Sequence, residues 1–542
     1  MEQVGKLVQA VGEGRMGRRA FMQRALGLGL TFGSASALLA ACGGGSQSGT
    51  VTTSTSDGTV TPSGGTLTFR GASGVGNLDP GDWANGDDFV GGMCIFEGLV
   101  NFKPGASEWE LENRLAETFE PSSDGLRYAF TVKQGVQFHD GYGELTAEDV
   151  KFSYERLASG DHAYSSEFSA LKEVKLEGKY KGVIVLKEPY APMLASVLPW
   201  IPGHIVSKKA IEKLGKRFAT NPIGTGPYQM KRSVPTKEFT LERFADWHGD
   251  PAPEWDEIRV VAIADDTAAR NAYTTGAVDT GRIPLSDVDR FEQDGKLTIE
   301  RRVSLNYAWI GMNTTKPSLS NAEVRRAIRQ AIDVPSILEA AFDGKWERAN
   351  QLLAPGMPFG QWADAPTYDA DPELAKSMLA KAGVSGLKLQ FSAYTTTASA
   401  TVVGEIVQAN LADIGIDVAV VRKEFSVAAD MPDTELFYLD YEGTAPDPNS
   451  STKWFACDQT KIYNIQQWCD RRYSDLDTTA AAEPDEGRRA TMYQEMMEIM
   501  DDQAPCAWIA WPAQYIGTKT GVKPSLLPDG TPILWNYRAA SR

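Results

Sequence analysis

The stretch from Val132 to Leu157 has the pattern of a strand, a tight turn and a helix. Val136 suits a strand edge, and the Asp140–Gly141 pair supplies residues that favour a turn. Thr146 begins the sequence Thr-Ala-Glu-Asp, which is close to a helix capping box. The helix that follows has apolar residues spaced i, i+4 and i+7, namely Val150, Tyr154 and Leu157. On its own, the stretch predicts a strand–turn–helix at the protein surface.

The run from Gly135 to Ser153 (GVQFHDGYGELTAEDVKFS) resembles the signature segment of the family-5 bacterial solute-binding proteins. These proteins are the peptide, dipeptide and nickel receptors of ABC importers. Other segments resemble the same family, in the family's order along the chain: Asn77–Pro80, Phe96–Val100, Asn221–Tyr228, Leu241–Trp247, Val324–Asp333 and Asp371–Gly383. The likeness covers roughly residues 65–540.

Strand and helix patterns alternate along the chain, which predicts α/β domains. The resemblance implies the two-lobe periplasmic-binding-protein fold of class II, in the large peptide-binding form with an extra subdomain. We expect lobe I to comprise 65–303 and 504–542, with 98–221 as the extra subdomain, and lobe II to comprise 304–503. The chain would then cross between the lobes near Ser304–Gly311 and Asp502–Trp508, and these crossings would act as hinges.

Residues 1–41 have the features of a targeting segment, which we exclude from the fold. Arg18 and Arg19 resemble a twin-arginine export signal, although the general export route is an alternative. An apolar run then ends in Leu39–Ala40–Ala41–Cys42, which resembles the lipobox of a bacterial lipoprotein signal peptide. We expect cleavage before Cys42 and a lipid on that cysteine. The alternative is an uncleaved membrane anchor with an incidental cysteine.

Residues 42–64 follow as a tether composed almost only of Gly, Ser and Thr. Such a composition cannot bury enough apolar surface to fold. As a flexible coil it would span roughly 25 Å, which suits a soluble body held off a lipid surface. We therefore expect an extracytoplasmic protein, in the periplasm or at the outer face of the cytoplasmic membrane.

The chain has 71 acidic and 54 basic residues, for a formal net charge of −17. So acidic a protein argues against nucleic acid as a partner, because phosphate contacts need patches of Lys and Arg. The four histidines are scattered, and the sequence has no GxSxG elbow, HExxH helix or P-loop. We therefore expect no enzymatic activity, no cofactor and no metal site.

The chain has 13 Trp, 18 Tyr and 21 Phe, and aromatic side chains commonly line ligand clefts. The resemblance implies where the cleft lies. The loop after the first family segment runs along the lobe interface in the family, which makes Trp83 and Asn85 candidate ligand contacts. The C-terminal aromatic strand presents a ligand-facing aromatic, for which Trp511 is preferred to Trp508. Trp468 is a further candidate.

The segment from Tyr441 to Pro448 corresponds to the family's peptide anchor. Peptide-binding members have an aspartate there, four residues before the proline, that pairs with the α-ammonium of the peptide. Aligned on Pro448, Tyr441 is the aromatic of the motif, Thr444 replaces the aspartate, and Glu442 is a neighbouring carboxylate. A hydroxyl cannot replace a buried carboxylate opposite an ammonium. A sugar, another small molecule or a peptide without a free amino end therefore becomes more plausible.

Four cysteines remain besides Cys42, which fits an oxidising compartment. Family members often carry a bridge in the loop that contains Cys457 and Cys469, so the resemblance implies a disulfide between these two. A metal site there is a weaker alternative, because neither a CxxC motif nor a nearby His is present. Cys94 and Cys506 could pair with each other or remain buried thiols, and the sequence leaves both open.

Taken together, the resemblance implies a lipid-anchored, monomeric binding protein of an ABC importer. It would capture a peptide or another small organic solute between its lobes and deliver it to the permease. The sequence does not identify the ligand. The alternatives are a ligand-binding sensor with a signalling partner, capture of nickel or haem, and a secreted hydrolase, which the scattered histidines disfavour.

Overall fold

The computed structural model of the chain describes residues 64–74, 76–83, 86–395, 399–424, 434–442, 445–460 and 462–540. The targeting segment and the tether, apart from Gly64, lie outside these residues. Within the described part of the chain, no helix combines the length and apolar character that crossing a bilayer would require.

Short strands occur along the whole described chain and belong to several sheets. In chain order they are β1 (Thr66–Gly71), β2 (Val100–Phe102), β3 (Leu111–Asn113), β4 (Ala116–Pro121), β5 (Arg127–Val132), β6 (Gln137–Phe138), β7 (Gly143–Glu144), β8 (Leu171–Leu176), β9 (Lys181–Leu186), β10 (Tyr228–Val234), β11 (Glu238–Arg243), β12 (Glu257–Ala262), β13 (Thr280–Arg282), β14 (Leu297–Val303), β15 (Tyr307–Met312), β16 (Glu347–Arg348), β17 (Lys388–Tyr394), β18 (Asp417–Lys423), β19 (Leu436–Tyr441), β20 (Cys506–Trp511), β21 (Ala513–Lys519), β22 (Val522–Lys523) and β23 (Arg538–Ala539).

The helices are interspersed with these strands, as the alternating pattern predicts. They are α1 (Gly86–Ile95), α2 (Ala147–Ala158), α3 (Lys208–Leu214), α4 (Asp266–Thr275), α5 (Val288–Asp294), α6 (Ala322–Ala331), α7 (Val334–Phe342), α8 (Pro372–Lys381), α9 (Ala400–Asp413), α10 (Asn449–Thr452), α11 (Arg471–Ala482) and α12 (Glu486–Gln503).

Two mixed sheets organise the molecule. The first has seven strands in the order β10-β11-β12-β1-β13-β21-β14, and the second has six in the order β16-β20-β15-β19-β17-β18. In the first, β1 pairs in parallel with β12 and β13; in the second, β17 pairs in parallel with β18 and β19. We call the part built on the first sheet the first lobe and the part built on the second sheet the second lobe. The expected two-lobe α/β fold is present.

The chain crosses between the two sheets at two neighbouring points. The first crossing runs from Ser304 to Asn306, between β14 and β15, within the predicted segment Ser304–Gly311. The second lies at Pro512, between β20 and β21, and not at 502–508 as expected. The expectation failed because β20 is almost entirely buried and pairs with β15 in the second sheet. Residues 504–511 therefore belong to the second lobe.

The two crossings are joined by hydrogen bonds. The backbone N–H of Ser304 and its hydroxyl both donate to the carbonyl oxygen of Pro512, at 2.9 and 2.8 Å. Ser304 is buried, so this link is shielded from solvent. The two hinge strands therefore meet at one buried point.

A four-stranded antiparallel sheet, in the order β4-β5-β9-β8, forms a subdomain within 98–221. Helix α2 packs against β8, and Thr146 and Asp149 form the capping box at its start. The apolar residues of this region share one core with those of the first sheet. The subdomain is thus packed on the first lobe.

The signature segment is more buried than its local pattern predicts. Val136, Phe138 and His139 are each at most 2% exposed. His139 donates its backbone N–H to the carbonyl of Gly224, and its ring Nε2 lies 2.8 Å from the carbonyl oxygen of Gly226. The surface prediction was wrong because these partners come from a segment far along the chain, which local sequence does not reveal.

Candidate ligand-binding cavity

A cavity of about 650 Å³ lies between the two lobes. The first lobe contributes residues near α1 and residues 163–202 of the subdomain, whereas the second lobe contributes β15, β19 and residues 445–466. The volume is within the usual range for sites that enclose small organic ligands. Because each lobe supplies one wall, opening of the lobes would expose the site.

Aromatic residues dominate the lining of this cavity. Ten of them contribute: Trp83, Phe89, Tyr164 and Trp200 from the first lobe, and Tyr307, Trp309, Tyr441, Trp454, Phe455 and Tyr463 from the second. Such surfaces give a ligand a large apolar contact area while their polar atoms remain available for hydrogen bonds.

Strand pairing positions the aromatic wall of the second lobe. Tyr307 and Trp309 are alternate residues of β15, so their side chains lie on the same face of the sheet. Tyr307 is directly opposite Tyr441 on β19, and their ring centroids are 5.4 Å apart. Phe455 packs against both β15 rings, with centroids 6.1 Å from each. These mutual contacts fix the rings before any ligand binds.

The first lobe presents a smaller aromatic group. The rings of Trp83 and Phe89 meet edge to face with centroids 5.9 Å apart. The hydroxyl of Tyr164 donates to the backbone carbonyl of Trp83 at 3.3 Å, which ties the subdomain to the loop before α1. Burial, followed by the charge of Glu167, raises the pKa of the Tyr164 hydroxyl, so that it remains a neutral donor.

An ion pair joins the two walls inside the cavity. Lys453 Nζ, from the second lobe, lies 2.5 Å from Glu167 Oε1 of the subdomain, and their side chains are only 21% and 19% exposed. The ammonium also lies 4.7 Å from the centroid of the Trp454 ring. Burial, followed by the charge of Glu167, raises the pKa of the Tyr441 hydroxyl, which therefore remains neutral.

Three further polar contacts join the subdomain to the second lobe among the described residues. The Tyr190 hydroxyl donates to Asn449 Oδ1 at 3.3 Å. The Ala191 N–H donates to the Ala481 carbonyl at 2.8 Å. Finally, the indole N–H of Trp109 donates to the carbonyl of Gly356 at 3.1 Å. The lobes are therefore in direct contact across the cleft in this structure.

Three buried polar atoms of the lining have no hydrogen-bond partner within the described chain. They are the indole nitrogens of Trp83 and Trp309 and the side-chain oxygen of Gln466. Buried polar groups are normally paired, because leaving one unpaired costs about 1–3 kcal/mol. All three atoms are buried behind the surface of the lining, so the cavity is lined by the rings of these tryptophans rather than by their N–H groups.

A disulfide-closed loop supplies part of the second wall. Cys457 and Cys469 are joined by a disulfide, and the loop between them carries Tyr463, Ile465 and Gln466 into the lining. Cys94 and Cys506 are both free and buried, so the structure settles the alternative that the sequence left open. Burial raises the pKa of the Cys94 thiol to about 12, which keeps it protonated and unreactive.

The structure brings some of the predicted ligand contacts together and places others elsewhere. Trp83 and Tyr441 line the cavity, whereas Glu442 is not part of its lining. Asn85 and Thr444 lie outside the described residues, so the predictions made for them stay predictions.

The two other predicted tryptophans lie outside the cavity lining. Trp468 is 4% exposed, and its ring packs edge to face on Tyr473 of α11, with centroids 5.0 Å apart. Trp511 is 7% exposed within the core of the second lobe. Both are packed against their own lobe, because the apolar core competes for the same kind of side chain that a ligand cleft would use.

Several lining residues were not predicted from the sequence. Tyr307 and Trp309 carry a usable signal, since they alternate on an apolar strand within the predicted hinge segment, Ser304–Gly311. Glu167 and Lys453 carry none, because they are 286 residues apart and become neighbours only when the lobes meet. In the described part of the chain, no cluster of three or more His, Cys, Asp or Glu side chains could hold a metal ion.

A cleft between two α/β lobes with an aromatic, largely preformed cavity is the arrangement of a solute-binding protein. The family model "bacterial extracellular solute-binding proteins, family 5 Middle" matches residues 110–462. The chain therefore belongs to this family of extracytoplasmic binding proteins.

Individual relatives agree with this assignment. The dipeptide-binding protein of Escherichia coli (strain K12) is 29% identical over 451 residues, which span 77% of this chain and 83% of that protein. Di/tripeptide-binding protein 1 of Pseudomonas aeruginosa (strain UCBPP-PA14) is 27% identical, over 83% of this chain and 89% of that protein. These relatives are binding proteins rather than enzymes.

Solved structures show the same fold. The periplasmic binding protein DppA of Helicobacter pylori, in complex with the peptide STSA, superposes with a TM-score of 0.77 at 24% identity, covering 88% of this chain and 98% of that chain. HbpA2 of Haemophilus parasuis has a TM-score of 0.77 at 25% identity, covering 88% of this chain and all of the other.

Proposed function

We propose that this protein is the solute receptor of an ABC importer that captures a short peptide, or another small organic solute of similar size, and releases it unchanged to the permease. The cavity of about 650 Å³ with one wall from each lobe supports this proposal best. The relatives are named as dipeptide-binding and di/tripeptide-binding proteins, which favours peptides as the first ligands to test.

Closure of the two lobes would provide the mechanism. A ligand that contacts both aromatic walls binds the closed form more tightly than the open form, and so shifts the population towards closure. The movement requires backbone changes only at the two crossings, at 304–306 and at Pro512. We propose lobe I as 65–303 together with the chain after Pro512, and lobe II as 304–511.

The ligand contacts that we propose are Trp83, Trp309, Tyr441 and Gln466. Their side chains line the cavity from both lobes, and the aromatic rings among them offer a ligand a large apolar contact area. Asn85, Glu442 and Thr444 remain further candidates from the sequence, and the cofactor-free, monomeric state remains part of the proposal.

Substitution of Trp309 by Phe tests the site, because it reduces the aromatic surface that lines the cavity and keeps an aromatic ring. The indole N–H of Trp309 has no partner in the described protein, so the fold loses no hydrogen bond. Loss of on the order of 40 Å² of apolar contact with the ligand corresponds to about 1 kcal/mol, which predicts roughly 5-fold weaker binding. Binding is measured by calorimetry with a panel of dipeptides and tripeptides, guided by native mass spectrometry of any ligand that co-purifies.

Trp511→Phe is the matched control. Trp511 is also 7% exposed and also has an unpartnered indole nitrogen, but it does not line the cavity. The Trp511→Phe substitution should therefore leave the ligand affinity unchanged. Equal effects of the two substitutions would contradict the assigned site, and a panel of peptides and other small solutes that never binds would contradict the proposed function.

We further propose that a lipid on Cys42 holds the mature protein at the outer face of the membrane, with 42–64 as its tether. Replacement of Cys42 by Ser should move the protein from the membrane fraction to the soluble extracytoplasmic fraction. Unchanged membrane association would favour the uncleaved anchor instead.

A further inference from the structure

The cavity lining has fewer basic than acidic side chains among the described residues, which disfavours a ligand with a free carboxylate. Lys453 is the one basic side chain in the described lining, and it is already bound to Glu167 of the opposite lobe. The lining also contains a second carboxylate, that of Asp440. A ligand carboxylate would have to compete with Glu167 for Lys453.

A second acidic side chain, that of Asp477, also interacts electrostatically with Lys453. Asp477 of α11 is buried, and burial raises its pKa to about 6, against the opposing effects of Thr452, Asn449 and Lys453. The guanidinium of Arg489 does not neutralise Asp477, because it is already paired with another carboxylate. It lies 2.8 and 2.9 Å from the two carboxylate oxygens of the fully buried Asp447. Before a ligand arrives, Lys453 is therefore bound to one carboxylate, that of Glu167, and its charge also lowers the pKa of a second, that of Asp477.

The remaining lining favours positive charge and neutral acceptors. The faces of aromatic rings attract ammonium groups, and this attraction grows when water is excluded. The hydroxyl groups of Tyr307 and Tyr441 in the lining stay uncharged, because burial raises the pKa of each, so they offer neutral hydrogen-bonding groups. A net protein charge of −17 would also draw cations toward the cleft from solution.

We propose that the closed cavity selects ligands that carry an ammonium group and neutral hydrogen-bond acceptors, and discriminates against ligands that bring a carboxylate into it. The ion pair between Glu167 and Lys453 sets this selectivity, because it neutralises the one lysine of the described lining whenever the lobes close. This inference rests on the proposed function and names the charge class of its ligand. A buried carboxylate without a cationic partner is strongly disfavoured.

Four ligands that differ only at their ends test the proposal. They are the dipeptide Leu-Phe, its C-terminal amide, its N-acetyl derivative, and the N-acetyl amide, which are a zwitterion, a cation, an anion and a neutral molecule. Calorimetry with the full mature protein at neutral pH should give tightest binding to the cationic amide and weakest binding to the anion. We expect the amide to bind about 10-fold more tightly than the zwitterion, the size of one charge-assisted contact.

Substitutions of the ion pair change the ratio in opposite directions. Glu167→Gln frees Lys453 and should reduce the amide preference by about 10-fold or reverse it. Lys453→Gln should increase the preference. Glu173→Gln is the control, because Glu173 lies in the same subdomain and pairs with Lys175 on its exposed surface, outside the cavity lining. The ratio of affinities is the readout, since weaker lobe closure would affect all four ligands equally.

The outcomes separate this inference from the proposed function. If wild type binds the acid forms as tightly as the amides, or if Glu167→Gln leaves the ratio unchanged, the charge selectivity is refuted while peptide capture stands. If none of the four ligands and no other peptide binds, the peptide proposal fails and this inference fails with it.

Discussion

Replacement of Glu97 by Gln should destabilise the first lobe by an amount that depends on pH. Glu97 is 3% exposed and forms an ion pair with Arg114, whose Nε lies 2.8 Å from Glu97 Oε1. It accepts hydrogen bonds from Thr225 Oγ1 at 3.0 Å and Trp247 Nε1 at 3.2 Å. His248 Nε2 lies 3.0 Å from its second oxygen. The carboxylate thus joins three segments that are distant in sequence.

The pKa of Glu97 sets the size of the effect. Burial alone would raise this pKa, but Arg114, His248 and Thr225 outweigh burial and lower it from 4.5 to about 2. A carboxyl whose folded-state pKa is lowered stabilises the fold above its unfolded-state pKa and loses this contribution as pH falls toward the folded-state value. The difference corresponds to about 3 kcal/mol at pH 7 and roughly 1 kcal/mol at pH 3.

Urea unfolding at pH 7 and pH 3 measures this contribution. Glu97→Gln should lower the free energy of unfolding by about 3 kcal/mol at pH 7, and the deficit should shrink toward pH 3. Glu112→Gln is the matched control, because Glu112 pairs with the same Arg114 at 3.4 Å but is one-third exposed. It should cost under about 1 kcal/mol. A Glu97→Gln deficit that is the same at both pH values would refute the electrostatic explanation.

Two further predictions concern the second lobe. Burial raises the pKa of Asp477 to about 6, so ionisation of this carboxyl destabilises the fold as pH rises from 4 to 7. The free energy of unfolding of wild type, relative to that of Asp477→Asn, should therefore fall by about 2 kcal/mol over that range. Urea unfolding measures this difference, and a difference that stays constant with pH would contradict the prediction. Joint replacement of Cys457 and Cys469 by Ser should lower the free energy of unfolding by about 3 kcal/mol. It should also weaken ligand binding, because the loop between these residues forms part of the cavity wall. An unchanged affinity would show that the loop keeps its shape without the disulfide.

The contacts of Glu97 also show how much could be predicted from the sequence. Glu97 and Thr225 belong to two of the segments that resemble family 5, and His139 of a third segment bonds the glycines on either side of Thr225. Family resemblance identified all three segments. Local pattern alone predicted a surface turn at His139, because nothing near it in sequence indicates that a distant loop covers it.

The ligand cavity was less predictable, for a related reason. Trp83 and Tyr441 could be placed by resemblance, since the family positions a loop and a strand end at the cleft. Trp511 could not be distinguished from a core residue, because its strand is buried on both faces. Glu167 and Lys453 are 286 residues apart and belong to opposite lobes, so no local sequence pattern indicates their pairing.

The contacts across the cleft between the subdomain and the second lobe are few and individually weak. The subdomain meets the second lobe through the ion pair of Glu167 and Lys453 and three hydrogen bonds. Each such contact is worth only about 0.5–1.5 kcal/mol net, and closure must also restrict the side chains involved. These cleft contacts alone therefore favour the closed form only weakly. A ligand that covers the ten aromatic side chains of the cavity adds apolar contact with both lobes and supplies the missing free energy. The same ion pair then both helps to hold the lobes together and decides which ligand charge they accept.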